Sequence, residues 1–131
     1  MRAVVEDLDS YTLIIDIGAS MCKLYVVKGS TLVKIHRVKV GGEQITAQLA
    51  ALKGIDFETA ELIKLNEASS EAHARDVKTA MRSILERPFQ EFKRVIQQYS
   101  NTHNVEFKSV LLVGGGAQMD QIVEYVQEIL T

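Results

Sequence analysis

The sequence has little cysteine and no long apolar run, and each shortage excludes a class of protein. Cys22 is the single cysteine among 131 residues, which excludes an internal disulfide, a CxxC pair and a zinc site built from cysteine and histidine. The apolar runs at residues 13–15 and 110–113 are far shorter than the roughly 20 residues of a membrane span. Residues 1–6 also lack the apolar stretch of a signal peptide. We therefore expect a cytoplasmic protein.

A surplus of charge of one sign is also missing. Fifteen basic residues nearly balance seventeen acidic ones, and no window collects the stripe of lysine and arginine that would follow a phosphodiester backbone. We expect no nucleic-acid partner. Apolar residues make up 47% of the chain, enough for residues 1–131 to bury a core as one domain.

The first forty residues have the pattern of three strands. Residues 12–17 are β-branched and apolar on both faces, as in a buried central strand. Residues 23–28 follow at once, and Gly29 and Ser30 provide the turn into a third strand at residues 32–40. The pattern predicts an antiparallel meander. Because the apolar phase of the third strand reverses along its length, we expect a β-bulge near His36 and Arg37.

Helical spacing replaces the strand pattern after Gly42. The first helix ends at Gly54 and a second is capped by Asp56. Ser70 can cap a third, in which Pro88 predicts a kink or a division into two helices. The positions expected to be buried in the first two helices are Ile45, Leu49, Leu52, Phe57, Ala60 and Ile63.

A buried strand at residues 108–113 and a final helix complete the chain. The apolar positions expected to face inward in that helix are Met119, Ile122, Val123, Val126, Ile129 and Leu130. The element order is therefore βββα, a helical insertion at about residues 56–102, and βα. This order predicts an α/β fold with a mixed sheet and flanking helices.

The first candidate site lies where the first strand ends, at Asp16, Gly18, Ala19 and Ser20. Small residues at such a turn let backbone N–H groups approach phosphate oxygens, and the carboxylate is placed to hold the water shell of Mg²⁺. The alternative is a hairpin whose aspartate and glycine only satisfy the geometry of the turn.

The second candidate is Gly114, Gly115, Gly116 and Ala117, between a buried strand and a helix. Glycines let a flat ligand lie on the backbone, and the following helix N-terminus favours negative charge. The run is neither a GxGxxG fingerprint nor a P-loop. A closely packed corner between strand and helix is the alternative.

The third candidate joins Gly41, Gly42 and Glu43 with Glu61 and Lys64. The last two are one helical turn apart, so they face one side, where they could grip the ribose hydroxyls and the adenine ring. A solvated surface ion pair is the alternative. The histidines lack metal-ligand spacing, and Cys22 is a better candidate for a small packed residue than for a nucleophile.

The order of these motifs resembles the second half of the actin-like ATPase fold, which belongs to the ribonuclease-H-like class. The DIGAS strand end, the GGEQIT helix start, the AELIK helix and the LLVGGGA strand end occur in the family's sequence order. Within that fold the residues of these motifs most resemble the PilM family of type IV pilus assembly proteins, with the FtsA cell-division family next.

The resemblance implies roles for particular residues. The segment from Asp16 to Lys23 looks like the family's second phosphate loop, with Asp16 reaching Mg²⁺ through water. The segment 113–117 resembles the adenosine motif, and Glu61 and Lys64 match positions that face adenosine. ATP or ADP with Mg²⁺ is the expected cofactor.

The resemblance also implies a missing half. Nothing before Thr12 is long enough to supply the other phosphate loop, so we expect a fragment or a shortened relative that binds nucleotide weakly and lacks ATPase activity. The expected function is a cytoplasmic scaffold that reaches the inner membrane through pilus assembly proteins, with self-association at the uncovered face. An ATP-binding FtsA-like division protein and a nucleotide-free interaction module are the alternatives.

Overall fold

Four strands form one mixed sheet in the computed structural model, which describes residues 10–65, 71–118 and 121–130. The strands are β1 (Tyr11–Ile17), β2 (Cys22–Lys28), β3 (Thr31–Val38) and β4 (Phe107–Val113). The first three pair as an antiparallel meander, and β4 pairs with β1 in parallel, which gives the order β3-β2-β1-β4. The predicted α/β class, meander and element order are confirmed.

The helices lie between β3 and β4 and after β4. They are α1 (Gly42–Lys53), α2 (Phe57–Leu65), α3 (Glu71–His103) and α4 (Ile122–Leu130). Helix α1 ends at Gly54, whose φ of 65° is left-handed and whose amide bonds the carbonyl of Ala50. The predicted cap of α2 is confirmed, because Asp56 Oδ1 accepts the amide hydrogen of Thr59 at 2.9 Å. Ser70 and Met119 lie outside the described residues.

One face of the sheet packs against the helices. The alternation of strand residues places Leu13, Ile15 and Ile17 on that face, and all three are buried. They share one core with residues of β2 and of α1, α3 and α4, among them Leu24, Val26, Ile45, Leu49, Phe89, Phe92, Ile122 and Val126. This core fixes the strand ends relative to the helix starts.

The opposite face carries a row of charged residues at the end of the sheet where β1 stops. Asp16 pairs with Lys23 of β2, which in turn pairs with Arg37 of β3. Since neighbouring residues of a strand alternate between faces, Asp16 points away from the core that holds Ile15 and Ile17. The register therefore places Asp16 on the face of the sheet opposite the helices.

Two predictions about irregularities are wrong. The bulge lies at Val33, because Val26 pairs with Lys34 and Val27 with Leu32, and not near His36 and Arg37. The phase change in the apolar pattern identified the right strand but placed the extra residue a few positions too late. The strand also ends at Val38, before the predicted Val40.

Pro88 does not divide the third helix into two. Helix α3 runs for 33 residues with Pro88 inside it, and the proline is buried next to Phe89. A proline removes one backbone donor, whereas the packed apolar side chains on both sides of it, from Val77 to Val95, hold the helix against the core. Burial of that face outweighs the local defect.

Three side chains predicted to be inward are exposed. Leu52, Phe57 and Val123 are 47%, 45% and 49% exposed. Each lies near an end of its helix. The predicted positions Ile45 and Ile122, the latter next to Val123, are fully buried.

Candidate functional site

The three predicted motifs meet in one cleft of about 270 Å³. It lies between the loop that follows β1, the first turn of α1, the side of α2 and the glycine run after β4. Its walls are formed by Gly18, Ala19, Gly42, Glu43, Glu61, Lys64, Leu65, Gly115 and Gly116. Residues almost a hundred positions apart in the sequence thus share one cavity, close to the size range of small-molecule sites.

Backbone hydrogen bonds tie the loop after β1 to the start of α1. The amides of Gly42 and Glu43 donate to the carbonyl oxygens of Gly18 and Ala19, both at 2.8 Å. A Cβ on Gly41 would overlap the Gly18 carbonyl and the Ala19 backbone, so glycine is needed for this approach. Gly41 serves the cleft by allowing contact between its walls, and its own amide donates to Gln44 Oε1 at 2.8 Å.

The glycines after β4 serve two purposes. Gly114 has φ of 90°, and a Cβ there would overlap the Asp16 carboxylate, while one on Gly116 would overlap the Ile17 side chain. Both positions therefore have the packing role that the sequence left open. A Cβ on Gly115 would meet no other atom within 4 Å, and this glycine lies bare on the wall of the cleft.

The helix expected directly after the glycines is replaced by a short 3₁₀ helix, Gly115–Gln118. Its amide at Ala117 donates to the Gly114 carbonyl at 3.1 Å, and α4 begins only at Ile122. A 3₁₀ turn, and not the first turn of α4, therefore adjoins the glycine run. The glycines use their conformational freedom for a tight turn, and the helix starts farther along.

Six predicted residues do not line the cleft: Gly41 and Gly114, whose packing is described above, and Asp16, Ser20, Lys23 and Ala117. Asp16 and Lys23 lie opposite each other on the sheet, with the Asp16 carboxylate against Gly114. Ser20 is exposed in the loop, and Ala117 is part of the 3₁₀ turn. The carboxylate is therefore beside the glycine wall, on the same edge as the loop.

Lys64 is buried, with only 8% of the residue exposed, so the alternative of a solvated surface ion pair does not describe it. Its Nζ lies 2.7 Å from Glu61 Oε1 and donates to Thr46 Oγ1 at 2.7 Å and to the Gly42 carbonyl at 3.1 Å. These three acceptors match the three N–H bonds of an ammonium group. Lys64 thus joins α2 to the first turn of α1.

Thr46 is a member of this cluster that the sequence did not reveal. It is fully buried, and its Oγ1 lies 2.5 Å from Glu61 Oε1. The sequence gives only a weak indication of this role. Thr46 lies one helical turn after Gly42, on the same face of α1 as the buried Gly42 and Leu49. Only the packing of α2 against α1 shows that its hydroxyl meets a carboxylate.

These contacts favour the ionised form of the Glu61 carboxyl. The hydrogen bond from Lys64 is the largest cause that lowers the pKa of the Glu61 carboxyl, followed by the hydrogen bond from Thr46. The side chain is 40% exposed and lines the cleft. The cleft therefore has a fixed negative acceptor on the α2 wall.

Cys22 is in an environment that disfavours reactivity. It is fully buried, and burial, with a smaller contribution from the negative charge of Asp16, raises the pKa of its thiol to about 12. A thiol that stays protonated is a poor nucleophile. The interpretation of Cys22 as a small packed residue fits this environment.

A second cleft, of about 300 Å³, lies between α3 and α4 and contains none of the predicted site residues. Arg82 of α3 bonds both carboxylate oxygens of Glu128 of α4 at 2.7 Å across it. Within the described ranges, no group of three histidine, cysteine, aspartate or glutamate residues could hold a metal ion. No helix in the described part of the chain is long and apolar enough to cross a bilayer.

Comparison of sequences relates the chain to one family. The model of the family described as type IV pilus assembly protein PilM matches residues 4–131. Comparison with curated proteins gives no match.

Solved structures show the fold. A PilM-PilN type IV pilus biogenesis complex matches with a TM-score of 0.77 at 22% identity, over 97% of this chain and 35% of that chain. Ta0583, an archaeal actin homolog, matches with 0.70 at 16% identity, over 98% and 42%. MreB5 of Spiroplasma citri bound to AMPPNP matches with 0.64 at 18%, over 94% and 46%. The fold is therefore that of the actin-like ATPases, and the chain spans less than half the length of these relatives.

Proposed function

This chain belongs to the PilM family of type IV pilus assembly proteins, and from that membership we propose that it is the nucleotide-binding half of a pilus assembly scaffold. The observation that supports this most is the convergence of Gly18, Gly42, Glu61 and Gly115 on one cleft. A solved relative with the same fold is described as bound to AMPPNP. The ligand proposed here is ATP or ADP with Mg²⁺.

The walls of the cleft suit the parts of a nucleotide. Gly115 has no side chain to keep a flat base from the backbone, and the ionised Glu61 is an acceptor for ribose hydroxyls. The loop of Gly18 and Ala19 is the phosphate side, next to Asp16. Mg²⁺, bound with the phosphates, would neutralise part of their charge, and Asp16 would hold its water shell.

The proposed site contacts the nucleotide from one side only, and this limits its affinity. A single half offers roughly half of the contacts of a clamped nucleotide, whereas the entropy lost on association is not halved. We expect a dissociation constant of about 1 mM, which corresponds to about 4 kcal/mol. We expect no turnover from this chain, because phosphoryl transfer needs donors on both sides of the γ-phosphate.

The parent protein would act as a cytoplasmic scaffold at the inner membrane. One solved relative is described as part of a PilM-PilN complex, so we propose that the partners are inner-membrane pilus assembly proteins and the remaining half of the fold. Nucleotide would then serve to set the conformation of the scaffold.

Titration with Mg-ADP, followed by amide NMR shifts, tests the nucleotide proposal. Shifts should appear together at residues 18–19, 42–43, 61–64 and 115–116, although these segments are far apart in the sequence. Lys78 of α3, which is exposed and does not line the cleft, provides an internal control. Shifts confined to one segment, or centred on α3, would instead favour a nucleotide-free interaction module.

A phosphate-release assay tests the absence of turnover. The chain and its Asp16→Ala variant should release phosphate from ATP at the same background rate. A higher rate for the unmodified chain would show that one half suffices for hydrolysis and would reject this part of the proposal.

A further inference from the structure

The hydroxyl of Thr46 is the buried contact of the carboxylate on the α2 wall. Thr46 is fully buried and its Oγ1 lies within hydrogen-bond distance of three groups: Glu61 Oε1 at 2.5 Å, Lys64 Nζ at 2.7 Å and the Gly42 carbonyl at 3.0 Å. A hydroxyl has one proton to donate and lone pairs that accept. The positions of these three groups therefore determine which of them accepts the hydroxyl proton.

Thr46 donates its hydroxyl proton to Glu61 Oε1. Lys64 is a donor without lone pairs, so Thr46 accepts from it. The Gly42 carbonyl already receives a hydrogen bond from Lys64 at 3.1 Å. The distance of 2.5 Å to the carboxylate is typical of a charge-assisted O–H···O⁻ bond, which is stronger than one to a neutral carbonyl.

Both donors act on the same oxygen of Glu61. Thr46 and Lys64 contact Oε1, and neither of these bonds uses Oε2. With two donors on one oxygen, the carboxylate loses rotational freedom, and Oε2 keeps its capacity to accept. The carboxylate lines the cleft, so its second oxygen is available to a ligand there.

We propose that Thr46 is a positioning residue that, with Lys64, fixes the Glu61 carboxylate so that Oε2 accepts a hydrogen bond from a ribose hydroxyl. This inference rests on the proposed nucleotide function and names what gives it specificity, a preference for ribonucleotides over 2′-deoxyribonucleotides. It also assigns Lys64 a structural role, because its three protons go to Gly42, Thr46 and Glu61.

The experiment compares Thr46→Val, which removes the hydroxyl at nearly constant volume, with Thr46→Ser, which keeps it. Thr79→Val is the matched control, because Thr79 is exposed on α3 and its hydroxyl only bonds the Arg75 carbonyl one turn earlier at 2.9 Å. Two readouts are taken for each variant. The first is the pKa of the Glu61 carboxyl by carbon-detected NMR without ligand, and the second is the ratio of the dissociation constants for Mg-2′-deoxy-ADP and Mg-ADP.

The unmodified chain should prefer Mg-ADP by about tenfold, as expected for a hydrogen bond to a charged group. Thr46→Val should raise the Glu61 pKa towards its ordinary value and bring the ratio close to one. Thr46→Ser should restore both readouts, and Thr79→Val should change neither. A role in folding alone would weaken both ligands equally and leave the ratio unchanged.

Three results would overturn the inference at different points. An unchanged Glu61 pKa in Thr46→Val rejects the positioning role, whatever the nucleotide does. A raised pKa with an unchanged ratio rejects the role in specificity and leaves the nucleotide proposal standing. Binding of neither nucleotide by the unmodified chain rejects the proposed function, and the preference for ribose with it.

Discussion

The amide of Gly42 donates a hydrogen bond to the carbonyl oxygen of Gly18 at 2.8 Å, which joins the start of α1 to the loop that follows β1. The parallel bond from Glu43 to Ala19 has the same length. Two amides of the helix N-terminus are therefore already used within the protein, and they are not available to a phosphate. The loop is thus hydrogen-bonded to α1, and Lys64 links α1 to α2.

The glycine wall gives the first prediction. Gly115→Val should weaken Mg-ADP binding with little effect on the melting temperature, because a side chain there enters the cleft and meets no protein atom within 4 Å at its Cβ. Ligand titration and thermal unfolding of the same preparation measure the two effects.

Gly114→Ala is the contrasting variant. Its Cβ would overlap the Asp16 carboxylate at a left-handed φ of 90°, so we expect a loss of unfolding free energy on the order of 2 kcal/mol. Equal damage to folding and binding in Gly115→Val would mean that Gly115 also serves packing, contrary to the prediction.

Local signals sufficed for the existence and order of the strands, but not for the bulge in β3 or for the burial of β4, whose Val110 and Val113 are each 42% exposed. Strand β1 is apolar on both faces because it lies between β2 and β4 in the sheet. Such a pattern is typical of a central strand. The cap of α2 at Asp56 is likewise local, because the carboxylate bonds an amide three residues away. Such features are determined within a few residues and can be predicted from them.

What could not be predicted depends on packing between distant elements. Thr46 and Glu61 are fifteen positions apart on different helices, and no spacing rule connects their side chains. Similarly, the continuity of α3 through Pro88 depends on its buried face, which only the assembled core defines. The family's sequence order indicated the cleft, whereas its internal hydrogen bonds required the structure.

Alkaline pH should destabilise the protein through Cys22. The folded thiol has a pKa of about 12 against the usual 9.0, so the unfolded chain loses its proton first. The stabilisation is fully present below pH 9 and is lost as the pH rises from 9 towards 12. Thermal unfolding should show the melting temperature falling from about pH 9 upwards.

Cys22→Val is the matched variant for this effect, because it keeps an apolar side chain in the β2 interior. Between about pH 9 and 10 its melting temperature should fall less steeply than that of the unmodified chain. The comparison stops near pH 10, the usual pKa of tyrosine, because burial also raises the pKa of Tyr125 to about 12. Parallel curves for the two proteins would contradict the assignment to Cys22.

Tyr125→Phe should stabilise the protein. Tyr125 is 5% exposed, and its hydroxyl has no hydrogen-bond partner in the described part of the chain. Removing an unsatisfied buried hydroxyl should raise the unfolding free energy by about 1 kcal/mol. The partly buried Tyr25 provides the control, since Tyr25→Phe should change stability by less than about 0.5 kcal/mol. Denaturant unfolding that shows Tyr125→Phe to be less stable would mean that the hydroxyl has a partner in solution.

The chain should self-associate through β4. The two edges of the sheet differ: β3 has a bulge at Val33 and exposed cations at Lys34 and Arg37, features that discourage pairing between edges. Val110 and Val113 of β4 are each 42% exposed, and β1 is the one strand that pairs with β4 in the described part of the sheet. An apolar edge of this kind favours contact with a second copy.

Sedimentation velocity over a range of concentrations measures this association. The mass-average sedimentation coefficient of the unmodified chain should rise with concentration, and Val110→Lys should suppress the rise, because it places a charge on the pairing edge. Leu32→Lys makes the same change at an exposed apolar residue of β3, 52% exposed, and should leave the rise intact. Because the two substitutions alter net charge equally, a general effect of charge would reduce association in both. A monomer at every concentration, or equal suppression by the two variants, would exclude β4 as the contact.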